Sequence, residues 1–226
     1  MTVRRRPTFS IIIPTAGRPT LAATLASVTP QLEAGDEILV IRSDDGDWGA
    51  IARNSAVERA RGTHLLFMDD DDEYTPEALR AMRKFAADHP HKIGIFRMRW
   101  EFWHLGTYGR VLWETPELRI NNVSSQMFLV PNLPGKVASW DPEYGHDYRF
   151  ILNTVALQGD PLFCDTLVAR IRPDRRGFFV RLATVYIPVA AKKIRRRLLG
   201  LRVKNPERQE RLPGMDDAHG SARNDA

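Results

Sequence analysis

The chain has 226 residues, 43% hydrophobic and 27% charged, which is typical of one soluble globular domain rather than a repeat array or a fibre. Its net charge of +5 comes from one segment, since residues 192–204 hold seven Lys and Arg and no acid, whereas residues 1–191 hold 23 basic and 23 acidic residues. A neutral main domain argues against a nucleic-acid partner, because phosphate binding needs basic charge spread over a folded face.

The first 90 residues alternate apolar runs with helical patterns. TFSIII predicts a buried strand that ends at Pro14, and TLAATLASVTPQL has helical spacing. Next come a predicted strand DEILVIR, a loop DDGDWG, a helix WGAIARNSAVERARG that stops at Gly62, and a strand THLLFM. A third helix is expected from an N-cap at Thr75 to about His89. This alternation implies a parallel sheet, which binds ligands at the carboxyl ends of its strands.

After about residue 90 the pattern becomes mostly extended. HKIGIFRMRWEFWHLGTYGRVLWE predicts strands joined by a turn, SSQMFLV another strand, GHDYRFILNTVALQG a helix, and PLFCDTLVARIR a long final strand. We therefore expect an α/β fold, with a mostly parallel sheet flanked by helices and a mixed C-terminal half.

Four consecutive aspartates follow the third predicted strand. Neighbouring carboxylates repel by about 1 kcal/mol per pair even at the dielectric of water, so a bound cation is expected. In an extended segment the side chains of Asp69 and Asp71 would point the same way, toward one divalent ion. An EF-hand is excluded, because Tyr74 and Arg80 stand where its glycine and glutamate would be. The alternative is a solvated turn that caps the next helix.

Three segments, in this order, resemble the nucleotide-binding half of glycosyltransferase family 2: FSIIIPTAGRP, ILVIRSDDGD and AIARNSAVERARGTHLLFMDDDDEY. The resemblance implies a GT-A (Rossmann-like) fold and a metal-dependent, inverting transfer of a sugar from a nucleoside diphosphate donor. The expected donor is a UDP-sugar, and the expected acceptor is a hydroxyl on a glycan or a lipid-linked molecule. Asp69 and Asp71 would hold Mn²⁺ or Mg²⁺, whose charge stabilises the departing diphosphate.

The resemblance also implies roles for other residues. The expected donor-binding residues are Thr15, Arg18, Asp44, Asp45, Asn54 and Asp70. In GHDYRF, Asp147 would be the catalytic base, and His146 replaces the family's usual glutamate. The expected acceptor contacts are His146, Trp103 and Trp140. The alternatives from the residues alone are turn formation for Asp44, Asp45 and Asp47, helix capping for Asp147, and sheet packing for the aromatic residues of the predicted hairpin.

Two other functions remain open on the sequence. A sugar-nucleotide pyrophosphorylase also uses a nucleotide-binding α/β sheet, but it needs a glycine-rich basic loop after the first strand, which PTAGRP supplies poorly. A non-catalytic sugar-nucleotide or membrane-surface binding module would bind the donor without releasing the diphosphate.

The expected domains are residues 1–185, 186–204 and 205–226. Within the first, about 8–100 would bind the nucleotide-sugar and about 100–185 would face the acceptor. Residues 186–204 predict a basic amphipathic helix that lies on an anionic membrane, or else packs on the domain with a solvated basic face. Co-sedimentation with anionic vesicles would separate these two interpretations. The tail lacks periodicity and is expected to be disordered.

The sequence also indicates a compartment. No apolar run approaches the roughly 18 residues of a membrane span, and FSIII is too short for a signal-peptide core. The single cysteine, Cys164, excludes an internal disulfide and gives no reason to expect a disulfide partner. We therefore expect a cytoplasmic protein, peripheral on the inner face of the membrane if the basic helix binds there.

Overall fold

The computed structural model describes residues 6–43, 46–101 and 109–171. All of them belong to the first of the two units into which the chain divides, Met1–Arg175 and Arg176–Ala226. The predicted basic helix and tail lie outside the described residues. Within those residues, the helices are all too short or too polar to cross a membrane.

Strands and helices alternate along the described chain as far as the third strand, which is followed by a two-residue fourth strand before the third helix. The strands are β1 (Phe9–Thr15), β2 (Glu37–Arg42), β3 (His64–Phe67), β4 (Glu73–Tyr74), β5 (Gly94–Trp100), β6 (Val111–Leu112), β7 (Phe128–Pro131) and β8 (Leu162–Ile171). The helices are α1 (Leu21–Val28), α2 (Ala50–Arg59), α3 (Ala78–Asp88) and α4 (His146–Gln158), and short 3₁₀ turns cover Thr29–Gln31 and Ser125–Met127.

The strands form one sheet in the order β2-β1-β3-β7-β5-β8-β4, with β6 paired to β5. β1 runs parallel to β2 and β3, whereas β7 lies antiparallel between β3 and β5. β8 runs parallel to β5 and antiparallel to β4. The expected parallel N-terminal half and mixed C-terminal half are confirmed.

The centre of the sheet is fully buried. Every residue of β1 and β3 is buried, which explains why both strands have near-continuous apolar sequences rather than alternating ones. Their carboxyl ends, and that of β2, therefore open onto one edge of a rigid core.

The start of α3 differs from the prediction. The helix begins at Ala78, with Glu77 rather than Thr75 at the N-cap. Thr75 is instead tied to β8, since its N–H donates to the carbonyl of Val168 and its hydroxyl to that of Leu167. A long-range bond to the sheet thus replaces the local cap that the sequence suggested.

Candidate functional site

A cleft of about 370 Å³ opens where the carboxyl ends of β1 and β3 meet the N-termini of α2 and α4. Asp69, Asp70 and Asp71, which follow β3, line it from one side. His146 and Asp147, at the start of α4, line the same cleft although they lie more than 70 residues further along the chain. The residues that the sequence analysis assigned to a metal and to a base therefore share one cleft.

The aspartates form a turn rather than an extended segment. β3 ends at Phe67, and the N–H of Asp72 donates to the carbonyl of Asp69 at 3.3 Å. The predicted alternation of side chains along a strand is therefore wrong. The turn nevertheless brings carboxylate oxygens of Asp69, Asp71 and Asp72 within 4.8 Å of one another. Three such oxygens are the hard ligands that Mg²⁺ and Mn²⁺ prefer, and Asp72 is a third candidate ligand that the sequence analysis did not identify.

Arg53 and Gln126 hold two of these carboxylates. The buried Arg53 guanidinium places Nη2 2.5 Å from Oδ1 of Asp69. The buried Gln126 amide donates from Nε2 to Oδ2 of Asp69 at 3.0 Å and to Oδ2 of Asp72 at 2.5 Å. Each carboxylate oxygen has a second lone pair, so these contacts leave ligand positions for a cation. The carboxylates are thus positioned in advance, which fits a metal site.

Arg53 also fixes the loop before α2. Its Nη1 donates to the carbonyl of Trp48 at 2.6 Å, and its guanidinium lies 4.7 Å from the centre of the Trp140 ring. In the same loop, the carboxylate of Asp47 accepts the N–H groups of Gly49 and Ile51, so Asp47 is a turn former. One buried cation therefore links the aspartate turn to the loop that carries Trp48.

Asp70 faces a different group of residues. Its Oδ2 accepts the hydroxyl of Thr15 at 2.6 Å, and its Oδ1 accepts Nη1 of Arg18 at 3.2 Å. The same Arg18 nitrogen lies 3.8 Å from Asp71. The structure thus brings the predicted donor-binding residues Thr15, Arg18 and Asp70 together on the cleft wall, with the Arg18 guanidinium half-exposed.

Asp147 lies in the first turn of α4, where Gly145 takes a φ of 79° to start the helix. Its Oδ2 accepts the Ser124 hydroxyl at 2.9 Å, while Oδ1 is buried, has no hydrogen-bond partner and lies 3.3 Å from Nε2 of His146. Burial raises the pKa of Asp147, and the charge of Asp69 raises it further, against the opposing effects of His146, Arg53 and the Ser124 hydrogen bond. A recessed carboxylate with an unused oxygen is suited to accept a proton.

Two of the predicted ligand contacts have structural roles instead. The Asn54 amide donates to the carbonyl of Trp140 at 2.9 Å and accepts its N–H at 2.8 Å. The Trp140 ring is buried, and it stacks on Phe150 with centroids 4.0 Å apart. We therefore leave Asn54 and Trp140 out of the site. The other predicted contacts, Asp44, Asp45 and Trp103, lie outside the described residues.

A family model and several solved structures match the chain. Residues 32–140 match the model described as Glycosyl transferase family 2. S. aureus TarS 1–349 is 16% identical, with a TM-score of 0.57 over 73% of this chain and 60% of that chain. Its complex with UDP-GlcNAc is 18% identical, with a TM-score of 0.57 over 75% of this chain and 59% of that chain. The complex with UDP is 14% identical, with a TM-score of 0.52 over 72% of this chain and 60% of that chain.

These matches differ in what they establish. No curated protein matches the chain, and the chain spans about three fifths of the length of TarS 1–349. At this level of identity the structural likeness shows the fold alone, and it confirms the expected GT-A class. Residues 32–140, just under half of the chain, match glycosyltransferase family 2, the family that the sequence analysis named.

Proposed function

We propose that the chain is a metal-dependent inverting glycosyltransferase, which moves a sugar from a UDP-sugar to an acceptor hydroxyl on a glycan or a lipid-linked molecule. The observation that carries the proposal is that Asp69 and Asp71, two members of the carboxylate cluster, line one cleft together with Asp147. A UDP-sugar is the proposed donor because TarS structures of the same fold contain UDP-GlcNAc and UDP.

Asp69 and Asp71 are the proposed metal ligands, and Asp72 is a candidate third ligand. Their clustered oxygens suit a hard divalent cation, and Arg53 and Gln126 limit the repulsion between them before a cation binds. A bound Mn²⁺ or Mg²⁺ supplies positive charge that stabilises the diphosphate as it leaves. We assign the half-exposed Arg18, which lies beside Asp70 and Asp71, to the same diphosphate.

Asp147 is the proposed general base. It takes the proton of the acceptor hydroxyl while that oxygen forms a bond to the anomeric carbon, and the bond from that carbon to the diphosphate oxygen breaks. Because attack and departure occur on opposite faces of the sugar, the anomeric configuration inverts. The raised pKa makes Asp147 a stronger base than an exposed aspartate, and Ser124 and His146 orient its carboxylate.

Release of nucleotide from a donor panel tests this function. The purified chain is incubated with UDP-GlcNAc, UDP-glucose, UDP-galactose or GDP-mannose, with Mn²⁺ or with EDTA, and the nucleotide product is identified. The proposal predicts slow, metal-dependent release of UDP with water as the acceptor. Binding of every donor without release would indicate a binding module. Formation of UTP and a sugar 1-phosphate on addition of pyrophosphate would indicate a pyrophosphorylase.

A further inference from the structure

A second, smaller cavity of about 170 Å³ lies beside the cleft and shares Trp48, His146 and Asp147 with it. Unlike the cleft, this cavity contains none of the aspartates that follow β3. Asp147 therefore stands between the space proposed for the donor and a separate space with different chemistry.

Two large aromatic side chains on the wall of this cavity are unusually exposed. Trp48 is 62% exposed and Tyr144 is 70% exposed. The Trp48 backbone and the Tyr144 ring are both held: Arg53 donates to the carbonyl of Trp48 at 2.6 Å, and the Tyr144 hydroxyl donates to Oδ1 of Asn121 at 3.0 Å. Hydrophobic burial does not account for these positions, since both rings remain open to solvent.

Backbone strain is concentrated at the same cavity. Among residues 6–43, 46–101 and 109–171, the non-glycine residues with positive φ are Trp48, at 54°, and Asn121, at 63°. Both line this cavity. A bulky residue such as tryptophan rarely adopts this conformation, and strain of this kind accumulates where a ligand site requires it.

The lining has little charge. Apart from His146 and Asp147, the described lining residues are apolar, aromatic or neutral polar, and they include no Lys or Arg. Among the described lining residues, a phosphate group would therefore find no Lys or Arg to pair with. Aromatic rings beside amide and hydroxyl groups suit a neutral sugar, whose C–H faces stack on a ring while its hydroxyls form hydrogen bonds.

We infer that this cavity is an acceptor subsite for an uncharged sugar ring, which packs against Trp48 and Tyr144 and presents a hydroxyl to Asp147. The inference rests on the proposed function and adds a substrate class to it: a neutral glycan, rather than a phosphorylated acceptor, occupies the position next to the base.

Binding of neutral sugars tests the inference independently of turnover. Maltotetraose, cellotetraose and chitotetraose, with glycerol 3-phosphate for comparison, are titrated against the full chain by saturation-transfer NMR and tryptophan fluorescence. We expect at least one neutral tetrasaccharide to bind and to accelerate UDP release, and glycerol 3-phosphate to do neither. Preferential binding of glycerol 3-phosphate, or no binding of any tetrasaccharide, would overturn the inference.

Substitutions at position 48 assign that binding to the cavity. Trp48→Asn removes the ring but keeps a residue that tolerates positive φ, and it should weaken tetrasaccharide binding about tenfold. Trp48→Tyr keeps an aromatic face and should bind within about threefold of the wild type. The matched control is Ile51→Ala: Ile51 is 73% exposed and close by, does not line the cavity, and should have no effect.

The outcomes separate the two proposals. UDP release in the absence of oligosaccharide reports on the proposed function alone. If UDP is released but Trp48→Asn binds the tetrasaccharide as tightly as the wild type, the proposed acceptor subsite is wrong. The proposed glycosyltransferase function would still be supported. If no donor is turned over, the proposed function fails, while sugar binding that depends on Trp48 would still support a sugar site.

Discussion

Gln126 satisfies two carboxylates of the aspartate turn through a single amide nitrogen. Asp72 is only 1% exposed, so it has little access to water if that donor is lost. The amide carries no charge, and it therefore positions Asp69 and Asp72 without neutralising them. Unlike Arg53, Gln126 therefore adds no positive charge that would compete with a cation for the cluster.

Replacing Gln126 with Leu should consequently make stability depend more strongly on metal. Without metal, loss of the donor to buried Asp72 should lower the free energy of unfolding by about 1–3 kcal/mol. Mn²⁺ should recover part of this loss, because a cation that binds only the folded state can take up the freed oxygens. Urea unfolding in EDTA and in Mn²⁺ measures both effects.

The control for this substitution is Gln158→Leu. Gln158 also donates from Nε2 to two oxygens, the carbonyls of Pro131 and Lys136, but it lies outside the cleft. Its replacement should cost stability equally with and without Mn²⁺. The same metal-induced stabilisation in Gln126→Leu, Gln158→Leu and the wild type would show that Gln126 has no special relation to a metal site.

Replacing Asp147 with Asn should lower the rate of transfer by about 10²- to 10⁴-fold with little change in donor affinity. The base acts only when deprotonated, and burial raises its pKa. As the pH is lowered, the wild-type rate should therefore begin to fall at a higher pH than it would with an exposed aspartate as the base. The residual rate of the variant should not show this fall. A variant that loses donor binding but keeps the chemical step would place Asp147 in the nucleotide site instead.

At the scale of residues, the sequence alone identified those site residues that stand in a distinctive local motif. Asp69, Asp71 and Asp147 stand in recognisable strings and line the cleft. Gln126 could not be identified in this way, because its partner Asp72 lies 54 positions away in the sequence. For the same reason Asn54 was assigned to the donor, although its amide bonds to the backbone of Trp140, 86 positions away.

At the scale of elements, the order of strands and helices followed from periodicity, while their ends depended on distant contacts. Gly62 illustrates this. It was expected to end a helix, but α2 ends at Arg59, and Gly62 packs against β1. A Cβ at this position would lie 2.4 Å from the backbone nitrogen of Ser10. Glycine is required here by a close approach of two backbones rather than by a helix stop.

Gly62→Ala should therefore destabilise the fold by about 1–3 kcal/mol, the usual cost of forcing extra volume into a packed region. Gly46→Ala is a suitable control, since a Cβ there has nothing within 4 Å and should change stability little. Thermal or urea unfolding compares the two variants. Equal stabilities would mean that β1 and the segment before β3 separate easily.

At the scale of the whole molecule, the sheet buries a histidine that affects stability toward acid. His64 starts β3, its Nε2 has no hydrogen-bond partner, and burial lowers its pKa to about 4 from an ordinary value of 6.5. The unfolded chain therefore binds more protons than the folded chain between these two values. The contribution of neutral His64 to the free energy of unfolding is complete above pH 6.5 and is lost as the pH falls toward 4.

Urea unfolding should show that the free energy of unfolding falls by about 2 kcal/mol between pH 7.5 and pH 5.0 because of His64 alone. His64→Gln, which does not titrate, should lose less stability over the same interval. If the wild type and the variant lose equal amounts, protonation of another group governs the response to acid.

The proposed function depends above all on a catalytic metal bound by the aspartate turn. The direct measurement is UDP release by metal-free protein as Mn²⁺ is titrated in, comparing the wild type with Asp71→Asn. Asp71 lies in the partly exposed turn after β3, outside the buried core, so the variant should unfold at nearly the same urea concentration as the wild type in EDTA. We expect saturable activation of the wild type and loss of most activity in Asp71→Asn. Undiminished turnover of the wild type in EDTA would contradict the proposed metal dependence.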